Sequence, residues 1–321
     1  MRHGETGLPE RFRRTVRSTW GEPGAQWLVG LPALLEECAR RWSLTLAPPF
    51  PNLTFHYVAP AVRADGTEAV LKAGVPNKEL RSEAAALRVF DGRGSVRLLD
   101  SDPDRGLLLL ERLRPGAVLT ALADEAHDDE ATTIAASVMR GLWRPAPPGH
   151  DFPTVADWGE SFARLRARFG GGTGPLPAAQ VERAETLFAE LLASSAPPVL
   201  LHGDLHHDNI LSAQRQPWLA IDPKGVVGEP AYEVGALLRN LWPERHTNQN
   251  PARMLERRAH RLAEELGIDP VRVRDWAVAQ AVLSAVWGVE DSDDGWEGAL
   301  ANADILAAIP VCNKTRTGVS Q

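Results

Sequence analysis

The sequence predicts an α+β chain of two lobes, a small antiparallel-sheet lobe followed by a mostly helical one. Residues 54–110 alternate like short strands, with one helical stretch inserted among them. Beyond Pro115 the apolar residues recur instead at helical spacing, in five successive stretches. Between these regimes, Glu111-Arg112-Leu113 ahead of Arg114-Pro115-Gly116 reads as the hinge, dividing the chain into 1–112 and 113–321.

The elements follow in order. Residues 9–46 carry a helical pattern, clearest where Trp27, Leu28, Leu31, Leu34, Leu35, Cys38 and Trp42 recur. Thr54 to Val62 is strand-like, Asp65-Gly66 signals a hairpin turn, and Glu68 to Lys72 resumes as a strand. Asn77 is placed to cap a helix through Glu79, Leu80, Glu83, Ala84, Leu87 and Phe90, stopped by Asp91-Gly92. Val96–Leu99 and Gly106–Leu110 then form two strands around Asp102-Pro103-Asp104. In the second lobe the helical stretches are 128–143, 155–169, 178–194, 251–266 and 271–289, joined by short Pro/Gly-rich connectors.

Composition narrows the function classes. With 44% hydrophobic and 24% charged residues, the chain is an ordinary globular protein. Its net charge of −7 disfavours nucleic acid and mildly favours a cationic small molecule. The two cysteines, Cys38 and Cys312, have no metal-ligand spacing and build no disulfide framework. Together with the lack of a leader-like or membrane-spanning apolar run, this leads to an expectation of a cytoplasmic protein.

The chemistry is concentrated in Leu200-Leu-His202-Gly-Asp204-Leu-His-His-Asp-Asn209-Ile-Leu211. An apolar run enters a loop with a carboxylate, an amide follows five positions on, and a second apolar run, Trp218–Ile221, ends on Asp222. Phosphoryl transfer from a nucleotide needs one carboxylate to orient the attacking hydroxyl. It also needs an amide oxygen and a second carboxylate to hold Mg²⁺ against the phosphates. Asp204 is accordingly the candidate base, and Asn209 and Asp222 are the candidate metal ligands. Lys72 ends a predicted strand in a chain with only four lysines, and Glu79 and Glu83 follow on the next helix. A Lys–Glu ion pair there would set the ammonium on nucleotide phosphates. Glu83 is preferred because it shares a face with Leu80, Ala84 and Leu87.

Other motifs carry less. Gly92-Arg-Gly94 and Gly170-Gly-Gly-Thr-Gly lack the context of dinucleotide or phosphate loops and read as turns. Phe55–Val62, where a phosphate-covering strand pair is expected, has no glycine. His202 reads as a ring packed beneath the catalytic loop, while His206 is placed to approach substrate. The pair His207-Asp208 raises the rival reading of a metal-dependent phosphohydrolase, which needs further ligands from other helices. The acidic run Glu290-Asp291-Ser-Asp293-Asp294 could bind a guanidinium or ammonium group of a cationic acceptor.

With those residues in place, the chain resembles the aminoglycoside/hydroxyurea antibiotic resistance kinases, and within them the streptomycin 6-phosphotransferases. The resemblance spans about Trp27 to Trp296. It is densest in Gly94–Leu99, Leu108–Arg112, Leu201–Ile210 and Trp218–Pro223 through Gly228-Glu-Pro230. It implies a two-lobed protein-kinase-like fold that binds ATP, with adenine bonded to backbone around Glu111–Leu113. It also implies Lys72 on the phosphates, Asp204 as base, and Asn209 with Asp222 on Mg²⁺. The acceptor it implies is a hydroxyl of streptomycin, with hydroxyurea or another small hydroxylated metabolite as the alternative.

Overall fold

The computed structural model describes residues 8–122, 124, 126–240, 250–291 and 295–311. Its contacts divide it into two compact units, Met1–Gly116 and Ala117–Gln321. The sequence places the division after residue 112. Residues 112–116 fall with the first unit because Arg112 stacks over the Phe50 ring, 4.9 Å from its centroid, and Arg114 pairs with Glu68.

The first unit opens on helix α1 (Glu10–Arg41). Gly21 breaks its helical geometry with φ +56, and Pro23 sits in the first turn beyond the break, where a missing N–H costs nothing. The buried side chains Phe12, Val16, Leu28, Leu31 and Cys38 pack on one face of a five-stranded antiparallel sheet. That face is supplied by Ala59, Ala61, Ala69, Leu71, Ala73, Leu107 and Leu109; its alanines leave room for the helix to approach closely. Burial pushes the Cys38 thiol up to about 12, so it is an inert apolar group. Cys312 lies outside the described residues.

The strands are β1 (Leu44–Leu46), β2 (Tyr57–Arg63), β3 (Glu68–Ala73), β4 (Leu98–Asp102) and β5 (Leu107–Glu111). They are ordered β1-β2-β3-β5-β4. β1 is a correction to the helical pattern of 9–46: Trp42 closes the helix and Ser43, at φ +52, turns the chain into a strand too short to show a period. Between β3 and β4 runs helix α2 (Lys78–Phe90), whose first turn is capped by the Asn77 side chain accepting from Leu80 N at 2.9 Å.

The second unit holds helices α3 (Asp128–Leu142), α4 (Val155–Arg168), α5 (Ala178–Ala193), α6 (Val234–Arg239), α7 (Pro251–Leu266), α8 (Pro270–Asp291) and α9 (Trp296–Ala307). Two short antiparallel pairs cross it. One joins β6 (Val199–Leu201) to β9 (Val226–Gly228), the other β7 (Ile210–Ser212) to β8 (Trp218–Ala220). Helix α8 is buried on nearly every side from Trp276 to Leu283, the behaviour of a central helix in an all-round apolar setting. Glu229, 2% exposed, ties the chain after β9 to α8 by accepting from Arg272 and from the Trp276 indole. No described helix is long and apolar enough to cross a membrane.

Candidate active site

The geometry of the catalytic segment follows from one hairpin. Pairing of Ile210 with Ala220, Leu211 with Leu219 and Ser212 with Trp218 leaves Asn209 and Asp222 at its open end. Ile221 N donates to Asn209 O at 2.9 Å, which locks that end. Asp222 then turns out of the strand direction at φ +58, a left-handed conformation that aspartate tolerates better than most residues. The Asn209 Nδ2 donates to Asp204 O at 2.9 Å, so the amide bridges to the base loop and Oδ1 is its remaining polar atom. Asp204, Asn209 and Asp222 are thus gathered at one place, each half-buried.

Beneath them lies His202. It is fully buried; its Nε2 bonds Ile221 O at 2.7 Å and its Nδ1 accepts from Asp204 N at 3.2 Å. Burial holds its pKa down at about 4, so the ring is neutral and serves as a backbone strut, as the sequence suggests. His206 lies beside the base, with Nε2 3.8 Å from Asp204 Oδ2 and 3.2 Å from Asn209 Nδ2. Burial lowers its pKa too, against the pull of Asp204 and Asp208, so this contact is not an ion pair at neutral pH.

Two residues that the sequence reading passed over hold the loop from α6 and the turn before it. Glu233, 1% exposed, accepts from His202 N at 2.7 Å and Gly203 N at 2.9 Å. Arg239 donates from Nη2 to Asp204 Oδ1 at 2.7 Å. The Asn302 amide of α9 donates to Leu238 O and Arg239 O, fixing the end of α6 that carries this guanidinium. The available signal was a lone carboxylate and a lone cation flanking the apolar run Val234–Leu238, a poor setting for either charge without a partner.

Burial raises Glu233 to about 7, outweighing the two backbone donors. A carboxyl whose folded pKa lies above its unfolded one stabilises fully below about pH 4.5 and loses that contribution as pH rises through about 7. His202 acts in the opposite sense, its unfavourable contribution growing as pH falls from 6.5 towards about 4. The Tm advantage of wild type over Glu233→Gln therefore shrinks as pH rises from 4.5 to 7. A constant difference measured by thermal denaturation across that range contradicts this assignment.

In the first unit, Lys72 on β3 donates to both carboxylate oxygens of Glu83 at 2.8 Å, with the two residues 3% and 4% exposed. Glu83, not Glu79, makes the pair, because it lies on the buried face of α2. Glu111 ends β5 and accepts from Arg97 N at 3.1 Å; Leu113 is buried. The segment between β1 and β2 is residues 47–56, which carry Pro48, Pro49 and Pro51 and no glycine. Backbone bonds from Ala47 to Pro60 and from Phe50 to Val58 continue the strand pairing into it.

The remaining sequence candidates separate. Asp291 ends α8 and is exposed, whereas Asp293 and Asp294 lie outside the described residues. The His207-Asp208 dyad is not assembled as a metal site. His207 is fully buried, and Asp208 accepts from the Thr120 hydroxyl. Among the described residues, no group of three or more His, Cys, Asp or Glu could hold a metal ion. A carboxylate and an amide oxygen, as at Asp222 and Asn209, are instead the sparse hard-oxygen set suited to an ion that takes its other ligands from phosphate and water.

Residues 41–292 match the family described as aminoglycoside/hydroxyurea antibiotic resistance kinase. The chain is 34% identical over 291 residues to a streptomycin 6-kinase of Streptomyces griseus, covering 90% of this chain and 92% of that one. It is 37% identical over 276 residues to a hydroxyurea phosphotransferase of Kitasatospora aureofaciens, covering 85% and 77% respectively. Among solved structures, it is similar to a thermostable mutant of an aminoglycoside phosphotransferase in ternary complex with ADP and hygromycin B. That similarity has a TM-score of 0.59 at 16% identity, over 85% of this chain and 97% of the other. At such identity the likeness is one of fold, the two-lobed protein-kinase-like α+β fold.

Proposed function

Because this chain belongs to the aminoglycoside/hydroxyurea antibiotic resistance kinases and is a phosphotransferase acting on a hydroxyl group, we propose that it transfers the γ-phosphoryl group of ATP to streptomycin. The observation that supports the reading is the register that brings Asn209 and Asp222 together at the open end of one hairpin, with the Asn209 amide bonded to the backbone of Asp204.

Asp204 accepts a hydrogen bond from the attacking hydroxyl, aligns it with the phosphorus and takes its proton as transfer proceeds. Arg239 holds one carboxylate oxygen, Oδ1, and so sets the direction of the other. Asn209 Oδ1 and the Asp222 carboxylate would hold the divalent ion, which would supply positive charge to offset that on the phosphate oxygens. Lys72, kept in place by Glu83, supplies a compact ammonium to the nucleotide phosphates. The backbone around Glu111–Leu113 takes the adenine edge. His202 and Glu233 hold the base loop without touching substrate. Catalysis on this account is positioning and charge neutralisation, with no covalent intermediate on the protein.

Streptomycin is preferred because the chain is acidic overall and α8 ends in exposed carboxylate at Asp291; Asp293 and Asp294 follow in sequence. A second reading, hydroxyurea as acceptor, is favoured by the 37% identity to the Kitasatospora enzyme. ADP release with Mg²⁺-ATP, measured with each acceptor separately, tests the choice. Streptomycin-dependent release with no response to hydroxyurea is the expected result. Release with hydroxyurea alone overturns the streptomycin reading, and release with neither overturns both.

A further inference from the structure

We infer that Trp158 and Trp287 form an aromatic wall beside the base loop, against which a planar guanidinium group of the acceptor stacks. The inference rests on the phosphotransferase reading above and names the side chains that select the acceptor.

Trp158, on α4, abuts the residue that precedes the base. A Cβ placed on Gly203 would lie 2.8 Å from the Trp158 Cη2, and Gly203 itself stands at φ +84. Trp287, on α8, meets Trp158 edge to face, with ring centroids 5.6 Å apart and planes at 90°. Both indoles remain partly open to solvent. The contrast is with Trp276 on the same helix, fully buried among Phe188 and Tyr232 with its N–H given to Glu229. Trp276 is core; Trp158 abuts the base loop directly, and Trp287 joins it through Trp158.

They are also held rigidly. The Trp287 N–H donates to the buried Ser161 hydroxyl at 2.9 Å, and Trp158 rests on the buried Tyr232 at a centroid distance of 6.0 Å. Preorganised rings lose little conformational entropy on binding. Helical spacing connects them to the chemistry. Trp287 lies one turn beyond Ser284, whose hydroxyl receives Arg239 at 3.5 Å, the same guanidinium that holds Asp204. One further turn reaches Asp291. On α4, Arg164 donates to the same Ser161 hydroxyl as Trp287 and is matched by Glu290 at 2.9 Å, so its charge is already offset.

An indole face attracts a planar cation through its quadrupole and through stacking, and guanidinium satisfies both. The streptidine ring of streptomycin carries guanidinium groups beside its hydroxyls, so one molecule offers both a planar cation for this wall and a hydroxyl for the neighbouring base loop. Hydroxyurea is neutral and gains little from such a wall.

The test is steady-state ADP release at saturating Mg²⁺-ATP with streptomycin varied, for wild type, Trp287→Phe, Trp287→Leu and Trp158→Leu. The KM for ATP and a thermal melt, measured on each, report that the variant is folded. Each leucine variant is expected to raise the streptomycin KM about tenfold, close to 1.4 kcal/mol, with the loss mainly in KM. Trp287→Phe, which keeps a π face but loses the N–H, is expected to stay within about threefold. An unchanged streptomycin KM in both leucine variants overturns the inference, as does equal loss in Trp287→Phe and Trp287→Leu. Those outcomes are distinct from failure of the underlying reading, in which wild type itself shows no streptomycin-dependent turnover.

Discussion

Asp204→Asn lowers kcat for acceptor phosphorylation by about 10³-fold while leaving nucleotide affinity close to wild type. The substitution is nearly isosteric, and its amide oxygen can still accept from Arg239. The loop framework is set by backbone bonds to Glu233 and by the Asn209 bridge to the backbone of residue 204, none of which uses the Asp204 carboxylate. What is removed is the basic oxygen that orients and deprotonates the hydroxyl. Single-turnover phosphorylation and ADP titration, run on the same preparation, separate the two effects. Full turnover in Asp204→Asn rejects this residue as the base. Parallel loss of ADP affinity would instead assign it to nucleotide binding.

Lys72→Met has two consequences that can be pulled apart. Glu83, 4% exposed, loses the ammonium that satisfies both of its oxygens. Leaving one charge of a buried pair uncompensated costs about 3–5 kcal/mol, read as a fall in denaturation midpoint. The phosphates lose a fixed positive charge, so kcat/KM for ATP falls by about 10²-fold or more. Replacing both partners, Lys72→Met with Glu83→Leu, restores most of the stability because the site becomes apolar on both sides. Activity is not restored, since the charge is still absent. A double variant that regains ATP turnover together with stability refutes the proposed role of Lys72 and leaves it a structural pair.

Much of this arrangement was legible in the sequence because its parts are local. The cap at Asn77, the strand ending in Lys72, and the run from His202 to Asp222 each fit within a couple of dozen residues, where periodicity and turn chemistry decide the backbone. The inward face of α2 even distinguished Glu83 from Glu79, since Glu83 shares its side with Leu80, Ala84 and Leu87. What escaped is long-range. Glu233 and Arg239 reach the base loop from about thirty residues away, and nothing in spacing reports that α6 docks there. Helix α6, at Val234–Arg239, is too short to display helical periodicity. Helix α9 reads as alanine-rich and weakly patterned, although its Asn302 secures the Arg239 end of α6. Strand β1, three residues long beyond a left-handed serine, was absorbed into the helical pattern before it. The pairing of Trp158 with Trp287 depends on how α4 packs on α8, which no local rule contains.

The decisive measurement concerns the metal. Mn²⁺ shares the preference of Mg²⁺ for oxygen ligands and can be followed by its paramagnetic resonance during titration with ADP. Wild type should bind one Mn²⁺–ADP per chain, with Asp222→Asn abolishing that nucleotide-dependent site and Asn209→Ala weakening it. Mn²⁺–ADP binding of undiminished strength in Asp222→Asn would mean that the carboxylate at the hairpin's end holds no metal, and the phosphoryl-transfer assignment built on it would fall.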